Sequence, residues 1–99
     1  MLRVVQKNVV EGAELAPINP LLADELNLQV TDGAFVSTVY PNSGADRAGV
    51  MAGDIIFKLD GRWVLTPKQL TQRVASSQVG DSLRLGIYRG GERMNLYLV

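Results

Sequence analysis

Nucleophilic chemistry in this sequence would have to start from its serines, Ser37, Ser43, Ser76, Ser77 and Ser82. Each needs a general base within hydrogen-bond reach, and no histidine or cysteine occurs anywhere in the 99 residues,. A serine-lysine pair is the remaining option. Ser76 follows Lys68 by eight residues on an expected helix, about 12 Å along the axis, too far for proton transfer,. Asp54 and Asp60 resemble a carboxylate pair in type only. They flank one expected strand, roughly 20 Å apart, and read as turn and cap residues. The missing histidine and cysteine also remove the commonest metal ligands, so no cofactor and no metal are expected,. Gly49, Gly53 and Gly61 are not a phosphate loop, because no Lys-Ser or Lys-Thr pair follows them,. Binding without catalysis is what these residues leave.

The elements that would position a binding site are legible from alternation and punctuation. Leu83, Leu85 and Ile87 alternate with Arg84, Gly86 and Tyr88; after Arg89-Gly90-Gly91, Met94, Leu96 and Leu98 alternate with Arg93, Asn95 and Tyr97. That is a β-hairpin. Thr66-Pro67 opens a helix as N-cap and first helical residue, with Leu70 and Val74 one turn apart, ending near Ser77,. Ile55 to Leu59 is a strand closed by the Asp60-Gly61 turn, and Trp63-Val64 is its short return,. Ala34 to Tyr40 is a strand between Asp32-Gly33 and Pro41,. Ser43 caps a short helix over 45–48, and Asn19-Pro20 opens another through Leu22 and Leu26,. Trp63 is assigned to packing, and Arg89 and Arg93 to a solvated rim.

These elements specify a small α+β domain: a partly closed antiparallel sheet or barrel of five to six strands flanked by two or three helices. Ninety-nine residues hold one domain, taken as 9–99, with 1–8 as an N-terminal extension,. Ten basic and ten acidic residues leave no field for a phosphate backbone, so nucleic acid is not an expected partner,. No run approaches the roughly 20 apolar residues of a membrane span.

The stretch Tyr40-Pro41-Asn42-Ser43-Gly44-Ala45-Asp46-Arg47-Ala48-Gly49-Val50-Met51-Ala52-Gly53-Asp54-Ile55-Ile56 resembles the strand, short helix and Gly-Asp-Ile segment of bacterial PDZ domains. The likeness is to those of the HtrA/DegP serine proteases. It continues through Leu59-Asp60-Gly61, Thr66 to Val74 and Val79-Gly80-Asp81; upstream, Leu15-Ala16-Pro17-Ile18-Asn19-Pro20-Leu21-Leu22-Ala23 is similar to the family's Leu-Thr-Pro run. The resemblance covers about Val10 to the end and implies the circularly permuted bacterial strand order.

The resemblance also implies a function, the capture of a peptide or protein C-terminus, or an extended segment, as an added strand beside a sheet edge. The carboxylate loop aligns with Glu11-Gly12-Ala13, and the peptide-binding set becomes Val10, Glu11, Gly12, Ala13, Glu14 and Leu15, walled by Pro67, Thr71 and Val74 on the helix. Strand parity puts Glu11, Ala13 and Leu15 on one side, so Glu11, at a position normally apolar in the family, either swings out to solvent or repels a ligand's terminal carboxylate. With repulsion, internal segments would be the better ligands. The family further implies a protease domain elsewhere in a longer chain, with a sensing or regulatory role for this one, and a periplasmic or membrane-anchored location facing the periplasm. A non-catalytic scaffold of a secretion system or organelle-assembly protein is the alternative.

Overall fold

The computed structural model describes residues 5, 6, 8–28 and 30–99, with side chains from residue 8 onward. The chain runs β1 (Val5–Gln6), β2 (Val9–Val10), β3 (Ala13–Pro17), α1 (Pro20–Glu25), β4 (Ala34–Val39), α2 (Gly44–Ala48), β5 (Ile55–Leu59), β6 (Arg62–Trp63), α3 (Pro67–Ser76), β7 (Leu83–Arg89) and β8 (Glu92–Leu98). All strand pairs are antiparallel, and the sheet follows the path β1-β2-β3-β4-β5-β7-β8, with β6 branching from β5. The α+β class is as expected. The described residues form one open sheet of eight strands with three helices, more strands than expected, because β1, β2 and β6 hold two residues each.

Local chemistry explains where the elements begin and end. At α3 the Thr66 hydroxyl accepts from Gln69 N–H at 3.2 Å, while the Gln69 side chain reaches back to accept from Leu65 N–H at 2.8 Å. Two orphan donors are satisfied, and Pro67 supplies a φ already suited to the first turn,. Asn19 caps α1 through Leu22 N–H, and Ser43 caps α2 through Asp46 N–H,. Asp60 and Gly61 both have positive φ, at 50° and 81°, which gives the turn the twist a two-residue hairpin needs,.

The core includes the inner face of α3 and the sheet strands packed against it. Leu70 and Val74 are fully buried one turn apart, against a cluster that includes Val10, Ala13, Leu15, Val36, Leu59 and Ile87. In β7 the alternation expected from sequence holds, with Leu83, Leu85 and Ile87 buried, and the hairpin pairs Leu83 with Leu98 and Ile87 with Met94. Strand β5 sits between β4 and β7 and buries Ile55, Ile56, Phe57 and Leu59.

Two sequence expectations change. Trp63 is 61% exposed, not packed, because among the described strands the two-residue β6 pairs only with β5, at the side of the sheet path. Its ring sits 6.1 Å from that of Phe57, with the Lys58 ammonium 4.5 Å above it. Arg89 is not rim. It makes a bidentate pair with the buried carboxylate of Asp54, Nε to Oδ1 and an Nη2 contact to Oδ2 both at 2.9 Å, and also donates to Gly49 O. That carboxylate also accepts from Met51 N–H, so one pair ties the α2–β5 connection to the end of β7. Arg93 lies over the Tyr88 ring.

Candidate functional site

The loop that precedes β3 is a tight turn. Val10 pairs with Ala13, and the two residues between them, Glu11 and Gly12, have φ of 49° and 88°. A Cβ at Gly12 would stand 2.2 Å from Ser43 Cβ, so glycine is required there both by conformation and by space,. The Glu11 carbonyl accepts from Ala45 N–H at 2.9 Å and the Gly12 carbonyl from Tyr40 N–H at 2.8 Å, which bolts the turn to α2 and to the end of β4. The parity argument for Glu11 fails here, because alternation does not pass through a turn of positive φ. The Glu11 side chain lies along Gly44 at the start of α2, its Oε2 3.2 Å from where a Gly44 Cβ would sit.

Strand β4 bulges at Ser37, opposite the Glu14–Leu15 step of β3, and the Ser37 hydroxyl donates to Glu14 O at 3.2 Å,. Ala13 and Leu15 point inward and are buried, while Glu14 is half-buried. The Glu14 carboxylate accepts a hydrogen bond from the Tyr40 hydroxyl, and this bond raises the Tyr40 pKa above its ordinary value.

A strand offers two edges, and both edges of β3 are taken. One pairs with β4 over Ala13 to Pro17. The other pairs with β2, Val9 with Glu14 and Val10 with Ala13, and Leu15 N–H donates to Asn8 O at 2.7 Å. The chain then reverses, with Asn8 at φ 60°, and β1 pairs on the outside of β2. Helix α3 packs against β1, β2 and β3 together. The edge that sequence spacing leaves open is therefore covered over Ala13 to Leu15 by Asn8, Val9 and Val10, the first of which was set aside with the extension.

The remaining residues of the expected set divide by burial. Pro67 and Val74 are buried, and Val74 joins Val10, Ala13 and Leu15 in the core cluster. Thr71 is half-buried, and its hydroxyl donates to Lys68 O at 2.9 Å, within its own helix. The structure thus brings the loop, β3 and the inner face of α3 together, with Val74 as a core residue and Thr71 at the margin. Asn8 and Val9 were missed. The signal for them is Val4-Val5 and Val9-Val10 on either side of Lys7-Asn8, two β-branched pairs around a turn residue,.

A family model described as PDZ domain matches residues 8–98. Among curated proteins, the magnetosome formation protease MamE of Paramagnetospirillum magneticum is 38% identical over 88 residues, which are 89% of this chain and 12% of that protein. The periplasmic pH-dependent serine endoprotease DegQ of Escherichia coli is 41% identical over 87 residues, 88% of this chain and 18% of its own length. This chain thus spans less than a fifth of either relative. Among solved structures, the HtrA-type protease AlgW with a decapeptide superposes with a TM-score of 0.80 at 30% identity, over 88% of this chain and 27% of that one. The HtrA3 PDZ domain bound to a phage-derived ligand, FGRWV, gives 0.79 at 32% identity, over 89% and 80%.

Proposed function

The chain belongs to the PDZ domain family, and on that premise we propose that it binds an extended peptide as an added strand on the outer edge of β3, under α3,. The observation that carries this reading is the pairing already made there: Leu15 N–H takes a carbonyl from an antiparallel segment while α3 closes over the same strip. Main-chain bonds of that kind supply affinity with little demand on ligand sequence. Ala13, Leu15 and Val74 belong to the apolar cluster beneath this strip, which disfavours a charged ligand side chain against it,.

The neighbours support the reading, since AlgW was solved with a decapeptide and the HtrA3 domain with FGRWV. No catalytic domain is evident in these 99 residues, and the chain is homologous to a part of HtrA-type proteases. Its role is then to hold a client segment or shift a longer protease between states, in a protein facing the periplasm. Gly61-Arg62-Trp63-Val64 repeats four of the five residues of the phage-derived ligand. In this fold they form the end of the turn before β6, β6 itself and its exit, with Val64 1% exposed, so a folded copy does not offer them as a free terminus.

The experiment is calorimetry with FGRWV and with the same peptide amidated at its C-terminus. Saturable binding in the micromolar range, usual where few pockets offset the cost of ordering a peptide, is expected. Absence of saturable binding by either peptide, or by a library of extended segments, overturns the reading.

A further inference from the structure

We infer that the arm before Val10, of which residues 5, 6, 8 and 9 are described, is an intramolecular occupant of the peptide groove, so that a ligand binds only the fraction of molecules in which this arm has left β3. The inference rests on the peptide-binding reading and adds what the ligand must displace. The outer edge of β3 is a single row of donors and acceptors, and the arm already uses it: Asn8 O accepts from Leu15 N–H, and Val9 and Val10 stand opposite Glu14 and Ala13. The arm is antiparallel to β3, in the same plane as the sheet, and it lies against α3 through both β1 and β2. It occupies the strip over Ala13 to Leu15 as an added strand would.

The arm is also built to leave. Its two strands contain two residues each, against seven in β7 and in β8, so few ladder bonds hold it. Short terminal pairings open at far lower free energy than a core hairpin does. Val10 is the exception, buried at 4% exposure beside Ala13, and it stays when the residues before it detach. The hinge is then the Val9–Asn8 segment. An arm docked in nine molecules of ten weakens the apparent affinity of a peptide about tenfold, because only the open fraction competes for it.

Asn8 gives a test that removes no side chain from the core, since it is exposed and adopts a φ of 60° that proline cannot reach,. Asn8→Pro, and separately removal of residues 1–8, should speed hydrogen exchange at the Leu15 amide and tighten binding of FGRWV about tenfold. Asn8→Gly, which keeps the positive φ, should leave both within about twofold. Circular dichroism confirms that each variant is folded. A Leu15 amide that exchanges at an unstructured rate in the parent, or an affinity for FGRWV that is the same with and without residues 1–8, overturns the inference and leaves the peptide site standing. A folded, shortened chain that binds no peptide overturns the peptide-binding reading itself.

Discussion

Arg89 and Asp54 show how much a single pair carries. The Asp54 carboxylate is 1% exposed, and its partners are the two nitrogens of Arg89 and the Met51 N–H. The pair raises the Arg89 pKa, through the hydrogen bonds to Asp54 first. Arg89→Ala would leave a buried carboxylate without its counterion, and removing one partner of a buried pair costs about 3 kcal/mol. For a domain of this size the expected fall in Tm is roughly 15 °C, read from thermal melts followed by circular dichroism. A loss under 5 °C would show that water reaches Asp54 and replaces the guanidinium. Tyr40 gives a second check at this scale. Its hydroxyl donates to Glu14, so ionisation is disfavoured in the folded state and its pKa lies above the ordinary value. A group raised in this way adds stability below its unfolded pKa, about 10, and loses it as pH rises through the folded value. The difference between the alkaline absorbance titrations of the parent and Tyr40→Phe should therefore be centred above 10, and Glu14→Gln should bring it down. A Tyr40 titration unchanged by Glu14→Gln would mean that the bond is not kept in solution.

Among the elements, α3 links folding to binding, because its inner face is core and its margin borders the strip on β3. Val74 is unsuited to probing the groove: it is fully buried, and a charge there would report on folding,. Thr71 is half-buried and its hydroxyl is satisfied within the helix, so Thr71→Glu should keep the fold while placing a carboxylate beside an apolar ligand. The expected result is at least a tenfold loss in FGRWV affinity, about 1.4 kcal/mol, with an unchanged melting curve. Equal affinity would move the ligand away from this margin of α3. The same helix shows which parts of the fold were readable. Thr66-Pro67, Asp60-Gly61 and Gly90-Gly91 act within a few residues, and the structure puts caps and turns at each of them. Strands β1 and β2 contain two residues each, too few for any alternation to register. Arg89 and Asp54 are 35 residues apart, and their meeting depends on the packing of β5 against β7. Glu11 misled because a parity count was extended across a turn with two positive φ values. The loop, β3 and α3 were thus located in sequence, whereas what fills the space between them was not.

At the scale of the whole molecule, the question is whether anything in this chain cuts what it binds. Four of the five serines are placed by the fold in structural work: Ser43 caps α2, Ser37 donates across the bulge to Glu14 O, and Ser76 and Ser77 donate to carbonyls of α3. A hydroxyl so engaged has no base to take its proton, and there is no histidine to serve as one,. Asp54, the buried carboxylate among the described residues, is committed to Arg89. Purified chain should therefore leave casein and FGRWV-containing peptides intact over a day at 37 °C, at concentrations where calorimetry detects peptide binding. Mass spectrometry of the incubated peptide checks this with sensitivity to a single cleavage. Turnover that co-purifies with the chain and disappears when one serine is replaced by alanine would overturn it. Turnover unaffected by each of the five serine replacements would instead trace to something other than a serine of this chain,.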